Sequence, residues 1–220
     1  HIYCDPEIIL GHAAKVIYTD SFGAMQRRNA GTTLSHVARK IRAKEWTVDD
    51  LDEVIKYVDN PWSAPPEVLA VAVAAAAQAD KPIVESGSGL STVLMAAATD
   101  QMVYCLEHDK RYIAKLVAMA NAAEVTNIAI VETEIVNGFY DIGELPMQNY
   151  SIFLNDGPPR AMGSRMTGMH LLGYHADLII CDDADNRDYR EKLEWWGVRE
   201  MYVPTHIQPR ALVLKRHGYS

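Results

Sequence analysis

Apolar positions along the chain keep two rhythms. Short, nearly continuous apolar runs begin near Ile83, Met102, Asn127, Tyr150 and Ala176. Their spacing of about 20 to 25 residues is what a buried strand, a covering helix and two short loops require. Apolar residues recur at helical period around Val68–Ala77, Val93–Ala98, Asp109–Val125 and Asp188–Trp196, the last closed by Gly197. Such βα repeats predict a mostly parallel sheet covered by helices on both faces, a doubly wound α/β fold. The last two apolar runs, Glu200–Pro204 and Arg210–Lys215, are too close together for a crossover helix. They predict an antiparallel hairpin at one sheet edge.

The first sixty residues read differently. Asp5-Pro6-Glu7 has the form of a helix start, and Ile8, Ile9, Ala13, Val16 and Ile17 would give that helix an apolar face. Residues 19–33 are rich in Gly, Ser, Asn and Thr and read as loop. Leu34, Val37, Ala38 and Ile41 return to helical spacing, with Arg39, Lys40, Arg42 and Lys44 outside. Thr47-Val48-Asp49-Asp50 resembles a capping box for a short acidic helix to Val58, stopped by Asn60-Pro61. The expected organisation is a helical N-terminal extension over 1–62, packed near the mouth of an α/β domain over 63–220. Ser63 and Pro65-Pro66-Glu67 start the first helix of that domain.

One stretch carries the strongest chemical signal. Pro82-Ile83-Val84 runs into Glu85-Ser86-Gly87-Ser88-Gly89, and Ser91-Thr92 opens the next helix. Strand, glycine turn and helix together aim free backbone N–H groups and a helix dipole at a ligand. Glycines at 87 and 89 let the chain turn tightly and let a ligand lie against the backbone. The following strand ends in Glu107, about twenty positions on, where a carboxylate grips a ribose diol. A dinucleotide and S-adenosylmethionine are both held this way. A dinucleotide fingerprint wants a third glycine where Thr92 stands, and here an acid leads the loop, which weakens the pyrophosphate reading.

Size and charge narrow the field. At 220 residues the chain accommodates one good-sized domain with an appendage, and its net charge of -8 argues against a broad nucleic-acid surface. Residues 1–44 hold seven Lys/Arg against three acids, leaving the remainder near -12. Two readings stand for that basic stretch, a solvated helical face or a lip that receives an anionic partner. Cys4, Cys105 and Cys181 are too few and scattered for a disulfide framework. A reducing, cytoplasmic setting is therefore expected, with no membrane span and no visible leader, although the chain begins at His1. No internal repeat appears.

The E-x-G-x-G loop, the acid ending the second strand, the run of βα units and the closing hairpin together resemble the class I S-adenosylmethionine-dependent methyltransferases. The resemblance spans roughly Ser63–Arg216. It implies a seven-stranded sheet with an antiparallel last strand. It also implies that Glu85, Ser86, Gly87, Ser88, Gly89, Ser91 and Thr92 form the loop holding the cofactor, with Glu107 on the ribose hydroxyls and His108 bordering the adenine. Either Glu132 or Glu134 would be the third-strand acid near the adenine.

Two acidic turns fall where this fold puts chemistry, at the carboxyl ends of the strands. Asn155-Asp156-Gly157-Pro158-Pro159 follows the fourth strand and Asp182-Asp183-Ala184-Asp185-Asn186 the fifth. Strands about 4.8 Å apart would bring Asp156, Asp182 and Asp183 within one ion's reach. Oxygen-only ligands suit Mg²⁺ or another hard divalent cation. The pattern is similar to the metal site of catechol-type O-methyltransferases, except that Asp183 stands where an Asn is usual. Without a metal, crowded carboxylates raise one another's pKa, and Asp156 or Asp182 could act as general base. Capping of the next helix and turn is the plainer account of the second acidic run.

Asp156-Gly157-Pro158-Pro159-Arg160 departs from the Asp/Asn-Pro-Pro-aromatic motif of enzymes that methylate base amines. Gly157 intervenes, and Arg160 stands where a ring should stack. The expected function is therefore methyl transfer to an oxygen of a small molecule, with nucleic acid disfavoured and a homo-oligomer compatible with the chain. The alternatives are a catalytically silent nucleoside-binding module and an NAD-dependent oxidoreductase. Arg160 and Arg165 could bind a substrate carboxylate or phosphate. His170 and His175 read as surface or packing residues, and Trp195-Trp196 as packing a helix onto the sheet.

Overall fold

The computed structural model of the protein describes residues 33–58, 63–206 and 210–218, together with the backbone of Ile2 and Tyr3. The expected helix after Asp5 and the loop over 19–32 lie outside the described residues. A helix over 33–43 (α1) and Val48–Tyr57 (α2) lead into Pro66–Ala76 (α3). Thr47 caps α2 in a capping box with Asp50, as its sequence requires. Alternation follows: Ile83–Ser86 (β2), Leu90–Ala98 (α4), Val103–Glu107 (β3), Lys110–Ala123 (α5) and Ile128–Glu132 (β4). Ile2–Tyr3 forms the short β1.

After β4 a small hairpin, Ile135–Val136 (β5) and Phe139–Tyr140 (β6), precedes Tyr150–Asn155 (β7), Arg165–Leu171 (α6) and Ala176–Cys181 (β8). Arg187–Arg199 (α7), Tyr202–His206 (β9) and Leu212–Arg216 (β10) complete the chain. The sheet order is β1-β4-β3-β2-β7-β8-β10-β9. Strands β4, β3, β2, β7 and β8 are mutually parallel, while β10 runs antiparallel to both β8 and β9. The seven expected strands are present, and β1 adds an antiparallel pair at the outer edge of β4.

The closing hairpin is not a simple edge addition. Its second strand, β10, slots between β8 and β9, so β9 becomes the edge and carries Pro204, which an edge strand tolerates. Helix α7 runs through Gly197 to Arg199 instead of ending there. A Cβ at 197 would lie 2.8 Å from Leu214 Cδ2, so the glycine lets α7 sit directly on β10.

Strand side chains alternate between two cores, as the pleat dictates. Ile83, Cys105, Ile130, Ile152 and Ile180 face one side with α1 to α5; Val84, Leu106, Val131, Phe153 and Ile179 face the other with the β5–β6 hairpin, α6 and α7. Leu34, Val37, Ala38 and Ile41 of α1 are buried in the first of these cores. Arg42 donates to the carbonyls of Ala123 and Glu124 at the end of α5, where the chain turns back into β4. That point lies at the amino ends of the strands, away from the glycine loop. Lys40 pairs with Asp50 at 2.5 Å, so two of the basic residues of α1 serve the fold.

Trp196 is buried against Tyr202, whereas Trp195 is 62% exposed with Arg199 over its ring. Only the second tryptophan packs the helix onto the sheet. Cys105 and Cys181 are buried free thiols in β3 and β8. Among the described residues no helix is long and apolar enough to cross a membrane.

Candidate functional site

Register places the chemistry. Ser86 pairs with Leu106 and Asn155, Asn155 with Cys181, and Glu107 with Glu132, so five parallel strands end at nearly one level. The glycine loop rises from the middle of that rim. Gly87 has φ +96°, a conformation side chains rarely adopt, and its N–H donates to Leu106 O at 2.9 Å. Gly89 is extended, and a Cβ built there meets nothing within 4 Å. Neither backbone strain nor packing explains glycine at 89. The open space beside it is a cradle for something lying on the backbone.

Glu107 is turned onto this loop. Its Oε2 accepts from Ser88 Oγ at 2.7 Å, and its Oε1 accepts from the N–H groups of His108 and Asp109 at 2.7 and 2.8 Å. One oxygen is thereby fixed by the backbone, while the other faces the loop with room for a further donor. A bare glycine cradle beside a buried carboxylate suits a nucleoside, and the residues fit the ribose of S-adenosylmethionine.

The rest of the motif works inward. Glu85 accepts from Ser91 Oγ and Thr92 Oγ1, each at 2.5 Å, and Gly89 N–H donates to Thr92 Oγ1 at 3.0 Å. Ser86 Oγ joins Asn155 Oδ1 and the Gly157 carbonyl, each at 3.2 Å. Glu85, Ser86, Ser91 and Thr92 thus brace the loop, leaving Gly87, Ser88, Gly89 and Glu107 to face the cradle. Burial pushes the Glu85 carboxyl up to about 7, with the two hydroxyls pulling the other way.

A raised acid pKa in the fold means stability is greatest when the group is protonated in both states. That stability is lost as pH climbs from the ordinary value of 4.5 through about 7. Glu85→Gln removes the titration. The melting temperature of the native protein, measured against that variant, is expected to fall between about pH 5 and pH 8. Parallel curves for the two proteins would show that Glu85 does not titrate there.

Sequence reasoning missed Tyr140. The β5–β6 hairpin turns at Asn137-Gly138, both at positive φ, and delivers Tyr140 over the rim. Asn-Gly between two apolar pairs is itself a hairpin signal that could have revealed it. A Cβ at Gly157 would lie 2.7 Å from the Tyr140 hydroxyl and 3.0 Å from Gly87 N, so Gly157 admits the ring against the glycine loop. Tyr140 lies 5.8 Å, centroid to centroid, from His108. Burial raises its hydroxyl pKa, and the charges of Glu107 and Asp156 add to the effect.

Two open clefts line the same rim. One is lined by Glu132, Thr133, Glu134, Val136 and Asp141. It holds both candidate third-strand acids, of which Glu132 sits beside Glu107 and pairs with Lys110 at 3.3 Å. The other is lined by Arg160, Ser164, Arg165, Asn186 and Tyr189. His170 is exposed on α6, and His175 ends the 3-10 turn before β8, in the stretches leading away from the rim.

Asp156, Asp182 and Asp183 converge beside the second cleft, but on arginine. Arg165 Nη2 lies 3.1 Å from Asp156 Oδ1 and 3.0 Å from Asp183 Oδ2, and Nη1 donates to the Asp182 carbonyl at 3.1 Å. Arg210 approaches from the other side, with Nη2 3.1 Å from Asp183 Oδ1 and Nε 3.4 Å from Asp182 Oδ1. The sequence expectation is a divalent-metal centre at Asp156, Asp182 and Asp183; in the structure these three residues lie against arginines. Among the described residues no group of three or more His, Cys, Asp or Glu side chains is placed to hold an ion. The donor set does not fit a metal because guanidinium groups already hold these carboxylates.

Asp182 is fully buried, and burial raises its pKa while the Asp183 N–H and Arg210 oppose the shift. Burial also holds Asp156 well above the usual carboxylate range, against the pull of Arg165 and with the push of Asp182. Asp156 remains 25% exposed, next to Arg165, which lines the cleft. Arg160 lies 3.7 Å from Asp185 and 4.0 Å from Asp183. Asn186 caps α7 through Tyr189 N–H, the plainer role the acidic turn suggested.

No family model matches the chain, and no curated protein matches it in sequence. Solved structures match it in fold. A presumptive caffeoyl-CoA O-methyltransferase from Staphylococcus aureus superposes with a TM-score of 0.56 at 14% identity, over 83% of this chain and 98% of that one. A presumptive RNA methyltransferase from Pyrococcus horikoshii gives 0.55 at 16% identity, over 79% and 98%. The O-methyltransferase TomG from Streptomyces achromogenes, involved in tomaymycin synthesis and solved with S-adenosylmethionine, gives 0.53 at 13% identity, over 96% of each chain. With this sheet order and the glycine loop at its centre, the chain has the fold of the class I S-adenosylmethionine-dependent methyltransferases.

Proposed function

We propose that the chain is an S-adenosylmethionine-dependent methyltransferase acting on an oxygen of a small molecule. The observation that carries the reading is Glu107, whose carboxylate lies on Ser88 at 2.7 Å over the glycine cradle of a methyltransferase fold. Bound S-adenosylmethionine supplies an electrophilic methyl group on a sulfonium.

This chain's residues would do the rest. Glu107 accepts the ribose hydroxyls, a charge-assisted pairing, and Gly87 and Gly89 let the ligand lie along the loop. Asp156 takes the proton of the acceptor hydroxyl as the new bond forms. Burial raises its pKa, so the ionised, proton-accepting form gains population only above the ordinary carboxylate range. Donor on the glycine loop and acceptor beside Asp156 would be held in fixed orientation, which supplies much of the acceleration.

The four acids Asp156, Asp182, Asp183 and Asp185 face the three cations Arg160, Arg165 and Arg210 across short contacts. Their charge is matched by these internal carboxylates, which favours an uncharged acceptor over a carboxylate or phosphate. The same acidity disfavours nucleic acid. Buried free Cys105 and Cys181 agree with a cytoplasmic setting. Trp195 and Val198 on α7, Met201 after it and Val203 on β9 are exposed apolar side chains that a homo-oligomer would cover.

S-adenosylhomocysteine at about a hundred times its Kd is expected to raise the melting temperature by roughly 5–10 °C, while NAD leaves it unchanged. A shift with NAD alone would replace the reading by an oxidoreductase. A shift with S-adenosylhomocysteine but no turnover against phenols and alcohols would leave a nucleoside-binding module.

A further inference from the structure

The acid cluster is built around a guanidinium. Arg165 is the first residue of α6, Ser164 caps that helix, and the arginine side chain is only 10% exposed. It spans the gap between two strand ends, with Nη2 at 3.1 Å from Asp156 on β7 and 3.0 Å from Asp183 after β8. Its Nε is buried without a partner, although the residue lines the cleft beside Asp156. A planar guanidinium presents five donors and stays charged, so it bridges carboxylates and keeps donors in hand. A hard divalent ion would need several oxygens at about 2.1–2.5 Å in the same space, beside a fixed positive charge.

We propose that Arg165 is the resident cation of the acceptor cleft, holding Asp156 and Asp183 in place and donating a hydrogen bond to the acceptor oxygen, so that the site works without a divalent metal. This rests on the methyltransferase reading. Arg165 positions Asp156 and stabilises negative charge growing on the acceptor oxygen; it neither gives nor takes a proton. The proton passes from the acceptor hydroxyl to Asp156, the oxygen–methyl bond forms, and the electron pair of the breaking carbon–sulfur bond returns to sulfur.

Mn²⁺ titration followed by electron paramagnetic resonance tests it. The native protein is expected to leave the free Mn²⁺ signal unchanged up to about 1 mM. Arg165→Met, which keeps an unbranched stem and loses the charge, is expected to bind Mn²⁺ roughly tenfold or more tightly than the native chain, and Asp183→Asn in that background to lose the gain. Arg165→Lys is expected to stay silent.

Mn²⁺ bound by the native protein and released by Asp183→Asn would overturn the proposal. So would silence from a folded Arg165→Met variant, as judged by circular dichroism. If that variant does not fold, the native titration decides alone. Calorimetry with S-adenosylhomocysteine on the same samples reports separately on the methyltransferase reading: native protein silent to both ligands would remove that reading and leave the metal-free cluster standing.

Discussion

Alanine at position 107 is expected to weaken S-adenosylhomocysteine binding by at least about tenfold in calorimetry, a loss of ~1.4 kcal/mol or more. The carboxylate does two jobs. Oε1 accepts from the His108 and Asp109 N–H groups and shapes the turn from β3 into α5. Oε2 lies on Ser88 Oγ over the cradle and is the oxygen a ribose would share. Hydrogen bonds to a charged partner contribute about 1.5–3 kcal/mol each, so loss of even one from the ribose to Oε2 should reach about tenfold. Glu107→Gln separates the jobs. It keeps an oxygen for the backbone donors but offers an uncharged group to the ribose, and an intermediate loss is expected with an unchanged melting temperature. Native affinity in a folded Glu107→Ala variant would sink the ribose assignment and the proposed function with it.

The parallel strands were legible because they are buried on both faces, so their apolar runs stand out from the helices around them. Ile83, Tyr150 and Ala176 begin strands where the pattern put them, and Val103 and Ile128 start one residue after the expected positions. The interposed β10 was not legible. Two apolar runs with a short link specify a hairpin, but which of the two pairs with β8 depends on side-chain packing such as Gly197 against Leu214.

At the site the same division holds. The glycine loop and Glu107 are local consequences of strand ends, and the register carried them together. Glu85, Ser91 and Thr92 belong to the motif yet point at one another, because a carboxylate buried at a helix start must find donors before it can serve a ligand. Arg165 reads in the sequence as a binder of a substrate anion, and its pairing with Asp156 and Asp183 was not legible. Acids at the ends of β7 and β8 suggest an ion between them, but the arginine arrives from the segment linking those strands, and no periodicity marks its destination. Tyr140 was recoverable from Asn137-Gly138, whose positive φ angles match the twist of a tight hairpin.

Asparagine at position 156 is expected to lower kcat by roughly a hundredfold or more while changing S-adenosylhomocysteine affinity far less. Formation of S-adenosylhomocysteine with a panel of phenols and alcohols is the measurement. Asparagine keeps the shape and leaves one oxygen for Arg165 Nη2, now 3.1 Å from the carboxylate, but it cannot accept the acceptor's proton. The pH profile separates base from brace. Burial raises the folded pKa of Asp156, so the active, ionised form gains population only as pH climbs above the ordinary carboxylate range. Native kcat should therefore rise with pH through that region, and the residual rate of the variant should be flat. Stability should move the opposite way, since ionising a buried acid with a raised pKa weakens the fold as pH rises. The variant should then gain in melting temperature on the native protein toward alkaline pH, unless the unmatched charge on Arg165 offsets the gain. A variant that keeps native kcat with the same pH profile would show that Asp156 only anchors Arg165, and that the proton leaves the acceptor by another route.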